Sequence, residues 1–397
     1  MDSPACLLKV FAVCAPGLEP FTSQELRRLG IPLTTAIASP FDRSGEEGGI
    51  EFSANLRDIY RANLHLRTAS RILVRLGEFY TASFSELRKK ASRLSWEKYL
   101  KSGQPVTFHV TCRKSRLYHS DAVAERVQGA IQDHLDKLPS ITKVNDESSN
   151  GQSQLIVVRL VNNLCTISVD SSGELLYRRG YRLETAKAPL RETLAAGLLI
   201  AAGWDGISPL IDPFCGSGTI PIEAALISNH IPPGLNRHFS FMEWPGYSAA
   251  EWQEILASAR TETQPVPVKI LASDRDAGAI QIARSNAERA EVVQNIQFSC
   301  QAISAIEPPG SPGWIVTNPP YGVRVSANHD LRNLYAQLGK TLRSKCLGWN
   351  FGILCSDLQL LGNTGLEYTN MLNLVNGGID VKLALGQVRY EKIQGGR

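Results

Sequence analysis

Residues 209–219 read Pro209-Leu-Ile-Asp-Pro-Phe-Cys-Gly-Ser-Gly-Thr219, a short apolar run that ends in an acid and is followed by a glycine-rich turn. This order predicts a strand that passes through a tight turn into a helix. Gly216 and Gly218 allow a backbone conformation that a Cβ atom disfavours, and they let a ligand approach the main chain closely. The segment is not a Walker loop, because no Gly-Lys-Ser/Thr follows it, and Ile220-Pro221 replaces the third glycine of dinucleotide binders. The expected fold around it is α/β, with a ligand at the turn.

The chain on both sides of this turn alternates between predicted helices and strands. Such alternation is typical of a mostly parallel sheet with helices on both faces. A turn signal at Asn376-Gly377-Gly378 lies between two apolar runs and predicts an antiparallel hairpin at the end of the sheet. The predicted helices are 190–202, 217–228, 276–290 and 330–345, and the predicted strands are 209–213, 268–273, 296–300, 313–317, 350–355, 372–375 and 380–385.

The part of the chain before about residue 175 has a different pattern, in which strands and helices do not alternate regularly. This half is predicted to be α+β, and residues 175–187 are the expected connector to the second half. A tight turn at Asn162-Asn163 joins two of its strands. The predicted strands are 7–14, 72–79, 105–111, 155–160 and 165–170, and the predicted helices are 22–30, 55–69 and 83–101.

Length and composition describe an ordinary globular protein. The 397 residues exceed what one core usually holds, so two or three domains are expected. No apolar run reaches the roughly 20 residues that span a bilayer, and the start of the chain lacks the features of a secretory signal. The eight cysteines form no C-x-x-C pair. We therefore expect free thiols, no metal site and a cytoplasmic location, with an organelle or the nucleus as alternatives.

A second acid follows a strand later in the chain. Residues 270–274 read Ile-Leu-Ala-Ser-Asp, and an acid at the tip of the second strand can accept both hydroxyls of a ribose. Alternatively, Asp274 caps the next helix, a role that Asp276 could equally fill. The interval from Asp212 to Asp274 is 62 residues, which exceeds the usual ~20. The excess predicts an aromatic-rich insertion over residues 230–267, which we expect to roof the site, with packing as an extra helical cover as the alternative.

The most specific motif is Asn318-Pro319-Pro320-Tyr321-Gly322, directly after the strand 313–317. The exocyclic amine of a nucleobase is a poor nucleophile, because its lone pair is delocalised into the ring. An enzyme can bind the two N–H groups with oxygen acceptors and so favour a pyramidal nitrogen. The side-chain oxygen of Asn318 and the main-chain carbonyl of Pro319 can supply these acceptors. The two prolines stiffen the loop, and Tyr321 offers a stacking face for an unstacked base.

Together these motifs resemble those of the THUMP-domain RNA guanine-N2 methyltransferases, a family with bacterial-type large-subunit ribosomal RNA enzymes and archaeal-type transfer RNA enzymes. The resemblance implies a ferredoxin-like element at 1–70, a THUMP-like RNA-binding domain at 71–180 and a Rossmann-like methyltransferase domain at 181–397. The expected fold class is thus α/β, with an α+β RNA-binding region ahead of the methyltransferase domain. The segments that carry the resemblance are Phe11–Glu19, Leu66–Leu73, Ser168–Arg182, Ala188–Ala196, Asp212–Thr219 and Asn318–Gly322.

The resemblance also assigns roles to individual residues. It implies that S-adenosylmethionine is the methyl donor and that Asp274 binds its ribose. Where the family commonly has an acid facing the adenine amine, this chain has Gln301, which can still accept that hydrogen bond. Where an acid frequently precedes Arg324, this chain has Val323, so the role of Arg324 is open. The other implied cofactor contacts are Asp212, Phe214, Gly216, Gly218 and Thr219, and the implied catalytic residues are Asn318, Pro319, Pro320 and Tyr321.

Basic residues in the first half are the candidate contacts to RNA phosphates. Residues 1–185 carry a net charge of +5 and the remainder −1, a distribution that suits a polyanion-binding module beside an enzyme. We expect shape and phosphate contacts to select the RNA and the pocket to select the base. The candidate contacts are Arg113, Lys114 and Arg116, with Tyr118 nearby, the connector residues Arg178, Arg179 and Arg182, and the helix cluster Arg88, Lys89, Lys90 and Arg93.

The sequence thus favours methylation of guanine N2 in structured RNA. Adenine-N6 methylation of nucleic acid is an alternative, because the same motif suits that amine. A non-catalytic RNA-binding factor for ribosome assembly is another. Gln301 favours this second alternative, whereas the intact glycine turn and Asn318 disfavour it. The choice between ribosomal and transfer RNA, and any need for an activator protein, stays open.

Overall fold

The structure, a computed structural model, describes residues 7–34, 48–136, 140, 153–182, 190–321 and 328–389. Within these ranges the strands form one sheet of six strands and one sheet of seven. The six-stranded sheet holds the strands of the first half of the chain, and the seven-stranded sheet holds those of the second half. The predicted division into an α+β half and an α/β half is confirmed.

The first half is built on a mostly antiparallel sheet. Its elements are β1 (Leu8–Cys14), α1 (Glu19–Arg28), β2 (Gly49–Ala54), α2 (Leu56–His65), β3 (Ala69–Tyr80), α3 (Phe84–Ala91), β4 (Val106–Arg113), α4 (Ser120–Leu135), β5 (Gln154–Val161) and β6 (Leu164–Asp170). The strand order is β2-β1-β3-β6-β5-β4, in which β4 and β5 are parallel and the other neighbours are antiparallel.

The central strand β3 joins the two regions that the sequence predicts in this half. It pairs with β1 on one side and with β6 on the other, so one sheet continues across the predicted limit between residues 70 and 71. The helix before it shows why the local sequence folds. Asn55 and Asp58 form a capping box at the start of α2, and Ile59, Tyr60 and Leu64 bury one face of that helix. The exact domain limits stay a prediction.

The second half is built on a mostly parallel sheet covered by helices. Its elements are α5 (Glu192–Ala201), β7 (Leu210–Asp212), α6 (Thr219–Ser228), α7 (Ala249–Glu262), β8 (Ile270–Asp274), α8 (Ala277–Arg289), β9 (Ile296–Cys300), β10 (Trp314–Thr317), α9 (Asn328–Lys345), β11 (Asn350–Cys355), α10 (Leu358–Asn363), β12 (Asn370–Asn376) and β13 (Ile379–Gln387). The strand order is β12-β13-β11-β10-β7-β8-β9, and β12 and β13 form the predicted antiparallel hairpin.

Most predicted elements of both halves are present, with the ends shifted by a few residues. The sequence patterns do not predict β2, α4, α7 or α10. The predicted helix 83–101 ends at Ala91, and a 3₁₀ turn follows at Trp96–Lys98. The chain turns there because the indole of Trp96 is fully buried and donates its N–H to the Ala91 carbonyl at 2.8 Å.

Residues 230–267, here called the insertion arm, pack against the first half of the chain. Phe241 stacks on Tyr60 at 4.4 Å, and Trp244 meets Tyr99 edge to face at 4.9 Å. The arm's buried side chains belong to the same hydrophobic core as the first sheet. The prediction that this insertion roofs the ligand site is therefore wrong, and the alternative of an extra cover is correct. The arm's members of this core are Phe239, Phe241, Trp244, Trp252, Ile255, Leu256 and Ala259.

Hydrogen bonds hold the arm in the same place. The Trp244 indole donates to the side-chain oxygen of Gln154 in β5 at 2.9 Å, inside the core. The main-chain N–H of Phe241 donates to the carbonyl of Ser171, which directly follows β6, at 3.1 Å. Polar groups buried by the arm are thus paired across the contact. The insertion arm completes the core of the first half.

None of the described helices is both long enough and apolar enough to cross a bilayer.

Phe241→Ala should lower the free energy of unfolding by about 3–5 kcal/mol, because its ring is fully buried and its loss leaves a cavity. Ile207→Ala is the control, since Ile207 is 68% exposed and its removal should cost less than about 0.5 kcal/mol. Urea denaturation of the full chain measures both. Equal, small losses for the two variants would show that the arm does not complete this core.

Candidate active site

The two main sequence motifs meet at the carboxyl edge of the second sheet. β7 and β10 are parallel neighbours, and the chain proceeds outward from them in opposite directions, to β8 on one side and to β11 on the other. Open α/β sheets bind ligands in the crevice at such a reversal of strand order. The hydroxyl of Thr317, at the end of β10, donates to Asp212 Oδ1, at the end of β7, at 2.7 Å. The turn after β7 and the Asn318 motif are therefore adjacent.

Asp212 is buried beneath this edge. Its Oδ1 also accepts the main-chain N–H of Phe214 at 3.2 Å. Burial raises the pKa of Asp212 from 3.8 to about 7, although the hydrogen bonds from Thr317 and Phe214 oppose the shift, and the charge of Asp274 adds to it. A cation bound beside this carboxyl would favour its ionised form.

The glycine turn is held from its other side by Asp274. Asp274 Oδ2 accepts the Gly216 main-chain N–H at 3.0 Å, so the tips of β7 and β8 are linked. Gly216 has a φ of +51°, and a Cβ at this residue would point into open space. Gly218 has a φ of +86°, and a Cβ there would lie 3.0 Å from the Cβ of Ala283 in α8. The first glycine thus leaves room for a ligand, and the second allows the helices to pack closely.

The helix-capping interpretation of Asp274 is wrong. Asp276 is the N-cap of α8, and its side chain accepts the main-chain N–H groups of Gly278 and Ala279. Asp274 Oδ1 accepts the N–H of Asp276 at 3.1 Å, which fixes the carboxylate at the strand tip. Its remaining lone pairs lie beside the glycine turn, where a ribose would be expected.

Three further predicted cofactor contacts lie along the same edge. Gln301 directly follows β9, is half-buried, and its N–H donates to the Asp274 carbonyl at 2.9 Å. Phe214 is half-buried and packs against the core between the sheet and α9. Thr219 is the buried first residue of α6. The chain therefore brings all seven predicted cofactor residues to one edge of the sheet.

The Asn318 motif contains an unpaired buried acceptor. Asn318 Oδ1 is shielded from solvent and has no hydrogen-bond partner among the described residues. Pro319 behind it is buried and Pro320 is half-buried, so the turn is packed against the protein. Nearly all buried polar atoms in proteins are paired, so this oxygen is a candidate acceptor for a bound group. Gly322, Val323 and Arg324 lie outside the described residues.

Tyr321 follows directly on this turn. Its ring is half-buried and contacts the cores on both faces of the sheet. Its hydroxyl oxygen accepts a hydrogen bond from the side-chain amide of Asn376 at 3.2 Å. Burial raises the pKa of Tyr321 from its ordinary value of 10, so the phenol is neutral near pH 7 with or without the shift. The ring is therefore held in a fixed orientation at the edge of the sheet.

Arg179, a predicted RNA contact, lies inside the protein. It donates to the carbonyls of Leu176 and Arg67 at 2.7 and 2.6 Å, and it pairs with Glu223 of α6 at 3.4 Å. The Arg179 and Glu223 side chains are 3% and 0% exposed. The prediction that Arg179 contacts RNA phosphates is wrong, because its donors are engaged in the interior.

The side chain of Arg182 is 10% exposed. It donates to the Leu190 carbonyl at 2.6 Å and to the Thr219 hydroxyl at 2.8 Å, and it pairs with Glu192 at 3.2 Å. The prediction that Arg182 contacts RNA is also wrong. Arg178 is half-buried with its guanidinium 4.0 Å from Glu174, and its role in RNA binding stays a prediction.

Two of the four basic residues in the helix cluster are paired with acids. Arg88 forms two hydrogen bonds of 2.7 Å with Asp133 of α4, and Lys90 pairs with Glu86 at 2.7 Å. Such exposed pairs contribute little stability, but they reduce the positive charge available to a phosphate. This helix is a weaker candidate for an RNA contact than the sequence indicates.

The remaining basic candidates are exposed at the end of β4. Arg113, Lys114 and Arg116 have exposed side chains, and none of them takes part in an ion pair within the described part of the chain. Their loop is held against the turn between β5 and β6, where Asn163 accepts the Arg116 N–H at 2.8 Å. Tyr118 is 69% exposed beside them. An exposed aromatic ring next to cations that have no ion-pair partner among the described residues suits single-stranded nucleic acid.

Two residues of this site were not singled out by the sequence motifs. Thr317 is the last residue of a buried strand, and a polar residue at such a position is a usable signal. Asn376 starts the turn between β12 and β13, and its contact with Tyr321 depends on the sheet order. Among the described residues, no group of three or more His, Cys, Asp or Glu side chains could hold a metal ion.

Family models match three consecutive parts of the chain. A model described as the RlmL ferredoxin-like domain matches residues 9–73, and a THUMP domain model matches residues 81–170. A model described as the RMKL-like methyltransferase domain matches residues 179–384, which is more than half of the chain.

Individual relatives match over nearly the whole chain. The ribosomal RNA large subunit methyltransferase K/L of Syntrophotalea carbinolica is 34% identical over 400 residues, which cover 96% of this chain and 53% of the relative. The chain thus spans about half the length of the curated relatives it matches. The crystal structure of SMU.472 complexed with SAH has a TM-score of 0.85 at 29% identity and covers 98% of this chain and 99% of that one.

A second solved structure comes from Listeria monocytogenes and is described as a predicted N6-adenine-specific DNA methylase. It has a TM-score of 0.83 at 30% identity, with 96% of each chain covered. These matches confirm the resemblance and the Rossmann-like fold class expected from the motifs. The chain belongs to the family of RMKL-like methyltransferase domains that follow a ferredoxin-like and a THUMP domain.

Proposed function

We propose that the chain transfers a methyl group from S-adenosylmethionine to the exocyclic N2 amine of a guanine in structured RNA. The observation that carries this proposal is the buried oxygen of Asn318 beside the glycine turn, which has no partner among the residues that the structure describes. An acceptor left without a partner costs free energy unless a bound group donates to it. The N–H of an unstacked base is such a donor.

The residues at the sheet edge fit S-adenosylmethionine. Asp212 offers a carboxylate for its ammonium group, and Asp274 offers lone pairs for its ribose hydroxyls. Gly216 leaves open space above the turn. Gln301 lies at the next strand tip, where its side-chain oxygen can accept from the adenine amine. Bound here, the cofactor supplies an electrophilic sulfonium methyl group.

The protein promotes the reaction by orienting the base amine toward the methyl group. We infer that Asn318 Oδ1 and the Pro319 carbonyl accept the two N–H bonds of the base amine, so that its lone pair turns toward the methyl group. Tyr321 stacks on the base with its ring fixed by Asn376. No strong base is needed, because the N–H becomes acidic only as the methyl group arrives. Orientation and fixed dipoles thus supply the rate enhancement.

The proposal that RNA is the substrate rests on features of the first half of the chain. The THUMP match and the exposed cations Arg113, Lys114 and Arg116 support a polyanion-binding surface. The curated relatives are named for ribosomal RNA, so we propose ribosomal RNA ahead of transfer RNA. The seven described cysteines are free thiols, which supports action in a reducing compartment such as the cytoplasm.

Adenine-N6 methylation is the second candidate. The same pair of acceptors suits the adenine amine, and the Listeria relative is described by that activity on DNA. Loss of guanine methylation together with formation of N6-methyladenosine would favour this candidate. Cofactor binding without turnover on any RNA would instead favour a non-catalytic RNA-binding factor.

Asn318→Ala should lower kcat for N2-methylguanosine formation about 10²- to 10³-fold, since an acceptor aimed at the reacting group is lost. Mass analysis of nucleosides measures the product on unmodified RNA from cells that lack the protein. Binding of S-adenosylmethionine should stay within twofold of wild type, because Asn318 serves the substrate. Asn370→Ala, an exposed asparagine on β12, is the control. Unchanged N2-methylguanosine in Asn318→Ala would refute the proposal.

Affinity for S-adenosylmethionine should fall as the pH drops below about 7. With its pKa raised to about 7 by burial, Asp212 is neutral below that pH and loses its attraction for the ammonium group. The expected loss is up to about tenfold per pH unit. In the unliganded protein, the contribution of Asp212 to the stability of the fold changes with pH in the opposite direction. The folded pKa lies above the usual 3.8, so this group stabilises the fold most below pH 4 and loses that contribution as the pH rises through 7.

Calorimetry between pH 5.5 and 7.5 tests this dependence. Burial also raises the pKa of Glu192 to about 7, so a variant must separate the two acids. Asp212→Asn keeps an acceptor for Thr317 and Phe214 and should make the affinity independent of pH over this range. An unchanged pH dependence in Asp212→Asn would show that Asp212 does not face the cofactor's ammonium.

Arg113→Ala and Arg116→Ala should each weaken RNA binding and reduce the slope of log affinity against log salt by about 1, because each removes a phosphate contact. Filter binding over a salt series measures the slope. Arg28→Ala, an exposed arginine on α1, should leave the slope unchanged. Identical slopes for all three variants would exclude the end of β4 as an RNA surface.

A further inference from the structure

We propose that Ile379, at the tip of the hairpin β12–β13, enters the base stack of the RNA and fills the gap that the target guanine leaves. This inference rests on the proposed function and deepens it, because it names a residue that meets the RNA around the reacting base. The observation that carries it is an exposed aliphatic side chain beside the residue that anchors Tyr321.

The tip of this hairpin lies at the same edge of the second sheet as the candidate active site. β13 runs antiparallel to β11, and Cys355, the last residue of β11, pairs with Lys382. Ile379 comes before Lys382, so the start of β13 extends beyond the carboxyl end of β11. The Asn318 motif follows the carboxyl end of β10, the parallel neighbour of β11. The hairpin tip and the Asn318 motif are therefore on one side of the sheet.

The register of the hairpin brings Ile379 to the hydroxyl end of Tyr321. Ile379 pairs directly with Asn376, and the side chains of directly opposed residues lie on the same face of a sheet. The side-chain amide of Asn376 donates to the Tyr321 hydroxyl oxygen at 3.2 Å. Ile379 is thus the cross-strand neighbour of the residue that fixes the ring on which we propose that the base stacks.

Ile379 is the exposed end of an apolar stripe that is otherwise buried. Alternate residues of a strand share one face, so Leu383, Val381 and Ile379 form one row along β13. Leu383 and Val381 are 0% and 1% exposed, whereas Ile379 is 43% exposed. Single exposed apolar residues are common on protein surfaces, so exposure alone assigns no role. The position of Ile379 beside the anchor of Tyr321 is what indicates a contact with the RNA.

The shape of the tip suits insertion between bases. Gly377 and Gly378 have φ values of +58° and +83°, and a Cβ on either would meet no atom of the protein within 4 Å. The turn between Asn376 and Ile379 thus has no side chains, and another molecule can approach its main chain closely. Aliphatic side chains such as isoleucine and leucine are wedges that proteins insert between base steps.

The chemistry of the reaction creates a gap for such a wedge. A base that enters a protein pocket leaves its stack, which costs free energy and exposes the faces of the neighbouring bases. An aliphatic side chain that covers these faces removes apolar surface from water and so offsets part of that cost. The contribution of Ile379 should therefore be large for a guanine that is stacked and paired in the free RNA, and small for one that is not.

The test compares two forms of one RNA. Mapping of N2-methylguanosine first identifies the modified guanine, and the substrates are a folded transcript that contains it and the single strand that carries the same guanine and its flanking bases. Ile379→Ala should lower kcat/KM on the folded transcript about tenfold, the scale of losing part of a buried aliphatic side chain. On the single strand the loss should be about twofold or less, because less unstacking is needed.

Two variants serve as controls. Ile379→Leu keeps an aliphatic side chain of the same volume and should stay within about twofold of wild type on both RNAs. Ile207→Ala makes the same change at a residue that is 68% exposed and precedes β7, at the opposite edge of the sheet, and should leave both activities unchanged. Affinity for S-adenosylmethionine, measured by calorimetry without RNA, should be unchanged in all three variants.

Fluorescence reports the gap itself and uses the folded transcript alone, so it decides the proposal even where the single strand is not methylated. A 2-aminopurine placed next to the modified guanine brightens when its stack opens. Wild type and Ile379→Leu should raise this fluorescence, and Ile379→Ala should raise it less, because the neighbouring bases close on an empty gap.

Equal fluorescence for Ile379→Ala and wild type would overturn the proposal, as would equal losses of activity on the two RNAs or no loss on the folded one. If the wild-type chain forms no N2-methylguanosine on any RNA, the proposed function itself fails, which separates the two failures.

Discussion

A carboxyl group removed from water at the tip of β7 accepts the hydroxyl at the tip of β10, and the rest of the site depends on this contact. The Asp212 side chain is enclosed, so its oxygens require partners, and Thr317 and the Phe214 N–H provide them. Side chains alternate along a strand, so a shift of one residue in β10 would turn Thr317 to the opposite face. The contact therefore fixes the register that brings Asn318, the next residue, to the end of β7.

Buried contacts join the two halves of the chain. The aromatic side chains of the insertion arm lie in the core of the first sheet, and Arg179 in the connector pairs with Glu223 in α6. Large apolar contacts of this kind hold domains in one relative orientation. If the proposed function holds, the exposed cations at the end of β4 stand in a fixed position relative to the site, and this geometry would help to select the nucleotide that reaches it.

The sequence was sufficient for the parts of the site that follow from topology. The carboxyl ends of parallel strands share one edge, so Asp212, Asp274 and Asn318 could be brought together from the strand pattern alone. The destination of the insertion arm could not be read in this way. Its aromatic residues predict burial, but composition does not say against which surface. The sequence does contain a signal for α4, which the prediction missed. Val123, Val127 and Ala130–Ile131 are apolar and have the three- and four-residue spacing of a helix.

The connector arginines show that charge in the sequence likewise does not reveal which partner a residue meets. A basic run predicts an exposed surface unless its acidic partners are known, and Glu223 lies 44 residues from Arg179 in the chain.

The insertion arm has a further consequence for biosynthesis. A ribosome delivers the first half well before the arm, so the face of α2 that carries Tyr60 must wait uncovered until residues 239–259 emerge. The nascent first half therefore cannot close its own interior, and its maturation is timed by the translation of the second.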